Sequence, residues 1–127
     1  MILSVPYLFL AAPIGTITAT TMRVLAVVPE EGDGVRVRGM DIFLATTVVP
    51  GSLDYWIFSL GTIVGEEFIV RAQYATPTKG MAKGRNPVEF KSVVAYDQDE
   101  VIAVQAEKRG SPASLDLCDV VLRLETP

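Results

Sequence analysis

The sequence predicts an all-β protein, an antiparallel β-sandwich or barrel of about eight strands with little or no helix. Three observations carry that expectation. Half of the 127 residues are hydrophobic, and the apolar set is rich in Val, Ile and aromatic side chains. Joined by many threonines, these favour a pleated, half-buried surface. The eight prolines, at positions 6, 13, 29, 50, 77, 87, 112 and 127, fall between apolar runs. Proline cannot donate to a sheet ladder, so this spacing marks strand boundaries. Turn signals rich in Gly and Asp lie between the runs, as in sandwiches and barrels. The length fits one domain over residues 1–127.

The elements follow in order. Residues 1–22 carry no charge. A signal peptide would need a basic region before its apolar core. A membrane helix would need an apolar run unbroken by Pro6, Pro13 and Gly15. The segment therefore reads as two extended pieces, 2–10 and 14–28, with a turn over 12–15. Residues 1–14 form either the first strand of the chain's own sheet or an arm exchanged onto a neighbour's sheet edge. From Gly15 a two-residue alternation places Ile17, Ala19, Thr21, Arg23 and Leu25 on one face. Residues 30–34 (Glu-Glu-Gly-Asp-Gly) have the chemistry of a tight hairpin. Val35 to Arg38 alternates again, and Gly39 marks a bulge. A second half-strand runs to Val49, and Pro50-Gly51 is a turn signal.

The hydrophobic maximum is 53–74. It holds the only tryptophan, Trp56, with Tyr55, Ile57, Phe58, Leu60, Ile63, Val64, Phe68, Ile69 and Val70. Side chains of this size each stabilise by roughly 1.5–3 kcal/mol when buried. The stretch reads as a central hairpin, reversing near Gly61–Gly65, with Trp56 as a core anchor whose indole N–H needs an acceptor. A long loop, 76–87, follows. Residues 88–96 and 101–106 read as a hairpin around the acidic turn 97–100. Residues 115–124 combine helical spacing with strand alternation, and the Val120-Val121 pair favours a strand with a bulge near Cys118.

Charge and reactive residues narrow the function. The chain contains no histidine and one cysteine, so zinc, haem and most copper sites are not expected, and no disulfide can form within the chain. No cofactor is expected. A net charge of −4 disfavours binding to nucleic acid over the whole surface. Scarce Asn, Gln and Cys match compositions found in proteins from hot environments. Three acidic clusters, at 30–33, 66–67 and 97–100, have the residue types of a calcium loop or a carboxylate pair. Each falls at an expected turn, where acids serve solvation and turn formation. No Gly-x-Ser-x-Gly or Ser-x-x-Lys occurs, and the glycines of 79–85 miss the spacing of a phosphate loop.

Lys79, Lys83 and Arg85 crowd the loop 76–87 within an otherwise acidic protein. They are the candidate residues for an anionic ligand, a polyanion or an acidic face of a neighbouring subunit. If that loop met the acidic turn 97–100 of another copy, assembly would weaken with salt. In size and class the chain is similar to small β-rich structural subunits, such as the coat, decoration and tail proteins of viruses and surface-layer components. The expected role is a non-enzymatic structural or assembly subunit of a homo-oligomer. The alternative is a binding module using the basic loop for an anionic ligand or nucleic acid, with a carboxylate enzyme third. The sequence does not assign a location: without a convincing signal peptide, cytoplasm and virion both fit, and no transmembrane segment is favoured.

Overall fold

Residues 9–30, 34–49, 53–75 and 80–125 are described by a computed structural model of the protein. They form eight strands: β1 (Phe9–Ile17), β2 (Thr21–Val27), β3 (Val35–Leu44), β4 (Tyr55–Val64), β5 (Glu67–Ala75), β6 (Gly84–Tyr96), β7 (Val101–Arg109) and β8 (Leu115–Glu125). Every ladder is antiparallel, and the strands make two four-stranded sheets, ordered β1-β8-β3-β6 and β2-β7-β4-β5. The expected all-β sandwich is what forms. Among the described residues no helix is long and apolar enough to cross a membrane.

The pairing has a simple logic. β1 pairs with β8, β2 with β7, β3 with β6 and β4 with β5. The chain is thus one long hairpin ribbon, closed at its tip by Gly65-Glu66, where Gly65 takes φ 65°. A side chain would be strained there. The ribbon wraps so that β8 meets β3 and β7 meets β4, completing both sheets. Eight strands in two sheets joined this way make a jelly roll. The hydrophobic maximum is the tip of the ribbon.

The core lies between the sheets. Trp56, Phe58 and Leu60 of β4 meet Met40 and Ile42 of β3, Ile102 and Val104 of β7, and Leu122 of β8 in one buried cluster. The Trp56 indole donates to the Ala113 carbonyl at 2.9 Å, the acceptor it requires. Tyr96 crosses the core from the other sheet, and its hydroxyl donates to the Gly61 carbonyl at 2.8 Å. Burial pushes that phenol's pKa well above its usual value.

Several sequence expectations need correction. Residues 12–15 do not turn: β1 runs through Pro13, and the corner to β2 lies at 18–20. β1 is an edge strand, where a missing N–H costs no ladder bond. For the same reason β6 begins at Gly84 and contains Pro87, so the loop after β5 ends earlier than 87. The pairs β2/β3 and β6/β7 are not hairpins, because their members lie in different sheets. Of the strand pairs consecutive in sequence, only β4 and β5 share a ladder. Turn chemistry specifies a reversal, not the partner of the strand that follows.

The β5 half of the hydrophobic maximum is not core. Ile69 and Val70 are exposed, and the ladder slips at Arg71. Other expectations stand. Gly39 sits at a register shift in both of β3's ladders, and β8 is a strand with an irregularity beside Cys118, where Leu117 takes φ 47°. Parts of the expectations for 1–14, 30–34, 50–51 and 76–79 fall outside the described residues.

Candidate functional site

The connection into β6 is tied down. Met81 and Val48 exchange two backbone hydrogen bonds at 2.8 and 2.9 Å, and both side chains are buried. Asn86 is the local anchor. Its side chain accepts from the Ala82 N–H at 3.1 Å and donates to the carbonyls of Ala82, Gly84 and Ile42. Lys83 is exposed, and its N–H donates to Thr47 Oγ1 at 3.2 Å. Arg85 lies one residue into β6, with its guanidinium 3.1 Å from Asp41 Oδ1. Lys79 falls outside the described residues. Of the three sequence candidates, Arg85 is therefore engaged with an acid of its own chain, while Lys83 projects from the connection.

Arg85 belongs to a larger ionic group on the outer face of the β1-β8-β3-β6 sheet. Residues directly opposite in a ladder share a face. Three neighbouring rows run across β8, β3 and β6: Asp119–Phe43–Arg85, Val121–Asp41–Pro87 and Arg123–Gly39–Glu89. A fourth is Glu125–Arg36–Ala95. Every row carries charge. Asp41 and Arg123 are only 5% and 9% exposed although they point away from the core.

Gly39 explains the geometry of this group. Having no side chain, it lets Arg123 lie across β3 and pair with Glu89 while donating to the Val88 carbonyl at 2.8 Å. A Cβ on Gly39 would stand 2.6 Å from that carbonyl oxygen and collide with the guanidinium. Arg123 Nε lies 3.7 Å from Asp41 Oδ2. Asp41 Oδ1 and Arg123 Nε are buried without an aligned hydrogen bond, so the Asp41 pairings rest on proximity. Hydrogen bonding to Arg123 holds Glu89 below the usual carboxylate range.

A second ionic group closes the side of the sandwich between β5 and β6. Arg71, the bulge residue of β5, pairs with Glu100, donates to the Ala95 carbonyl at 2.9 Å and stacks 4.7 Å above the Tyr96 ring. Glu100 also accepts from the Asp97 N–H at 2.7 Å, and the Arg71 hydrogen bond lowers its pKa. The acidic turn 97–100 is thus built around its own capping bonds and an arginine from β5. Beside it a cleft of about 490 Å³ opens between the free edges of β5 and β6, with Ala72, Tyr74, Phe90 and Ser92 among its lining.

The outer face of the β2-β7-β4-β5 sheet is built differently. Its two central rows read Met22–Gln105–Ser59–Gln73 and Val24–Ala103–Gly61–Val70. Neither contains a charge. Met22, Val24 and Val70 are 38%, 53% and 44% exposed. Val27–Val101 and Ile63–Phe68 extend the uncharged area toward the ribbon tip. Among the described residues, charges stand around it at Glu66 and Glu67 beyond β4 and at Glu107, whose ion pair with Arg109 spans 3.1 Å.

Cys118 is buried, and desolvation pushes its thiol up to about 12, which removes the thiolate needed for reactivity. Among the described residues no group of three or more His, Cys, Asp or Glu side chains is placed to hold a metal. The chain matches no protein-family model, no curated protein and no solved structure.

Proposed function

We propose that this protein is a non-enzymatic structural subunit that builds a homo-oligomer. One observation carries the reading: an outer sheet face on which Met22, Val24 and Val70 stand exposed in rows without a single charge. Soluble antiparallel sheets with one wet face alternate apolar and polar residues, and the wet face carries the polar set. A contiguous uncharged face inside a charged surround is the anatomy of an interaction surface, an apolar centre within a polar rim.

The ion pairs support the same reading from the other side. Arg71, Glu100, Arg123, Glu89, Asp41 and Arg85 bind one another across strands. They are used to hold the sandwich together. The jelly roll recurs in viral capsid domains, and also in lectins and cupins. A coat, decoration or tail role rests on that fold-level analogy. Sedimentation velocity on the full chain across a concentration series tests the proposal. Concentration-dependent association is expected, and a chain that stays monomeric throughout overturns it.

A further inference from the structure

The four sheet edges differ from the uncharged face in one respect: each is interrupted. β1 carries Pro13 and two register shifts, and β6 carries Pro87 and an unpaired excursion over 90–93. β5 is bulged at Arg71. β2 is shifted beside Leu25, and its Arg23, opposite the core residue Val104, sits on the core side of an edge strand. Prolines, bulges and inward charges on edge strands oppose the addition of a further strand. Association through an exchanged edge strand is disfavoured at all four.

We propose that the uncharged outer face of the β2-β7-β4-β5 sheet packs against the same face of a second copy of this chain. This inference rests on the assembly reading above and names its surface and partner. Charge selects the partner. A charged surface placed on this face would lose its hydration and find no counter-charge. Two copies, each of net charge −4, repel through most of their surfaces, and the opposite outer face carries charge in all four rows named above. Of the two outer faces only this one lets two copies meet without charge, and the β1 edge, which is also uncharged, is broken by Pro13 and two register shifts. The face is also self-complementary. Its outer glutamines Gln105 and Gln73 each donate and accept, so hydrogen bonds can close in both directions of a two-fold contact, while Ser59, only 2% exposed, accepts from Gln73 Nε2 within the chain.

Size sets the strength. Four strands at about 4.8 Å and seven residues at about 3.4 Å give a footprint near ~450 Å². A standard stable interface buries about 800 Å² per partner. The contact is therefore weak in isolation and suited to an assembly in which several contacts act together.

Val24→Glu and Val70→Glu place charges at opposite edges of the face, and Asp119→Lys on the other sheet is the control. Sedimentation velocity on full-length chains, with circular dichroism to verify folding, reads the result. Both glutamate variants should associate at least roughly tenfold more weakly than the parent, with Asp119→Lys unchanged. Equal association of parent and glutamate variants overturns the face while leaving homo-oligomeric assembly standing. A monomeric parent overturns both. Association that appears only after residues 1–8 are removed, and that Val24→Glu abolishes, assigns the face to the chain's own first residues and overturns the second copy as its occupant. A labelling measurement stands if a glutamate unfolds the chain. The thiol of Val24→Cys should react several-fold more slowly at high than at low protein concentration, and an unchanged rate overturns the proposal.

Discussion

The two outer faces of this sandwich are made from the same ladder geometry and differ in what fills it. On β8, β3 and β6 each row contributes charge, and the three neighbouring rows are joined by ion pairs: Arg123 with Glu89 and Asp41, Arg85 with Asp41. On β2, β7, β4 and β5 the corresponding positions are Met22, Val24, Ala103, Gln105, Ser59, Gly61, Gln73 and Val70. Alternation along a strand tells which residues leave the core. Their chemistry tells whether they meet water, one another or a partner. The first face is laced with ion pairs, and the central rows of the second carry no charge.

Removing Arg123 should break this contrast most severely. Arg123→Met strips Asp41 of one of its two cations at a position almost closed to solvent. Loss of one member of a buried pair costs about 3 kcal/mol or more. Urea unfolding followed by Trp56 fluorescence should show that loss, and the double variant Asp41→Leu with Arg123→Leu should recover part of it. An Arg123→Met protein as stable as the parent would mean that the charged face does not hold itself together. Gly39→Ala comes next. The new methyl meets the Val88 carbonyl, which belongs to backbone and cannot move aside, so a loss of about 1–3 kcal/mol in thermal unfolding is expected.

Acid should separate the faces by a different route. Glu89 and Glu100 have pKa values lowered by Arg123 and Arg71 in the folded chain. A carboxylate with a depressed folded pKa contributes stability that is complete above its unfolded pKa. That contribution is lost as pH falls through the folded value. Unfolding free energy should therefore decline below about pH 4.3, the unfolded glutamate value. Arg71→Gln and Arg123→Gln should each flatten the decline. The smallest effect on stability belongs to the uncharged face. Val24→Thr should change it by no more than about 0.5 kcal/mol, as exposed substitutions do, while weakening association.

How much of this was legible in the sequence depends on the range of the interaction. The all-β class, the positions of Pro29 and Pro112 between strands, the Gly39 bulge, the Cys118 irregularity and Trp56 as core anchor all depend on local periodicity and residue chemistry. Pairing does not. The turns at 30–34 and 97–100 look like hairpin turns, yet each carries the chain between sheets. Pro13 and Pro87 look like boundaries, yet each sits inside a strand, since only sheet order shows that β1 and β6 are edges.

The candidate site shows the same limit. Lys83 and Arg85 stand out in one dimension as a basic cluster with Lys79. In three dimensions Arg85 reaches Asp41, forty-odd positions away in the chain. The uncharged face left a faint trace that could have been read. Positions 57, 59, 61 and 63 alternate with the core residues of β4 and are Ile, Ser, Gly and Ile, where an ordinary solvated face would bring charge. Recognising a face, however, required knowing that β2, β7 and β5 continue it.

Salt distinguishes the present account from the contact first suggested by the basic loop. A pairing of residues 76–87 with the acidic turn 97–100 of another copy would weaken as counter-ions screen it, whereas an uncharged face has nothing to screen. Sedimentation velocity of the full chain from ~0.05 M to ~1 M salt, where the screening length falls below about 4 Å, tests this most directly. Association through the uncharged face should hold or strengthen as salt rises. Association that disappears over that range would contradict it.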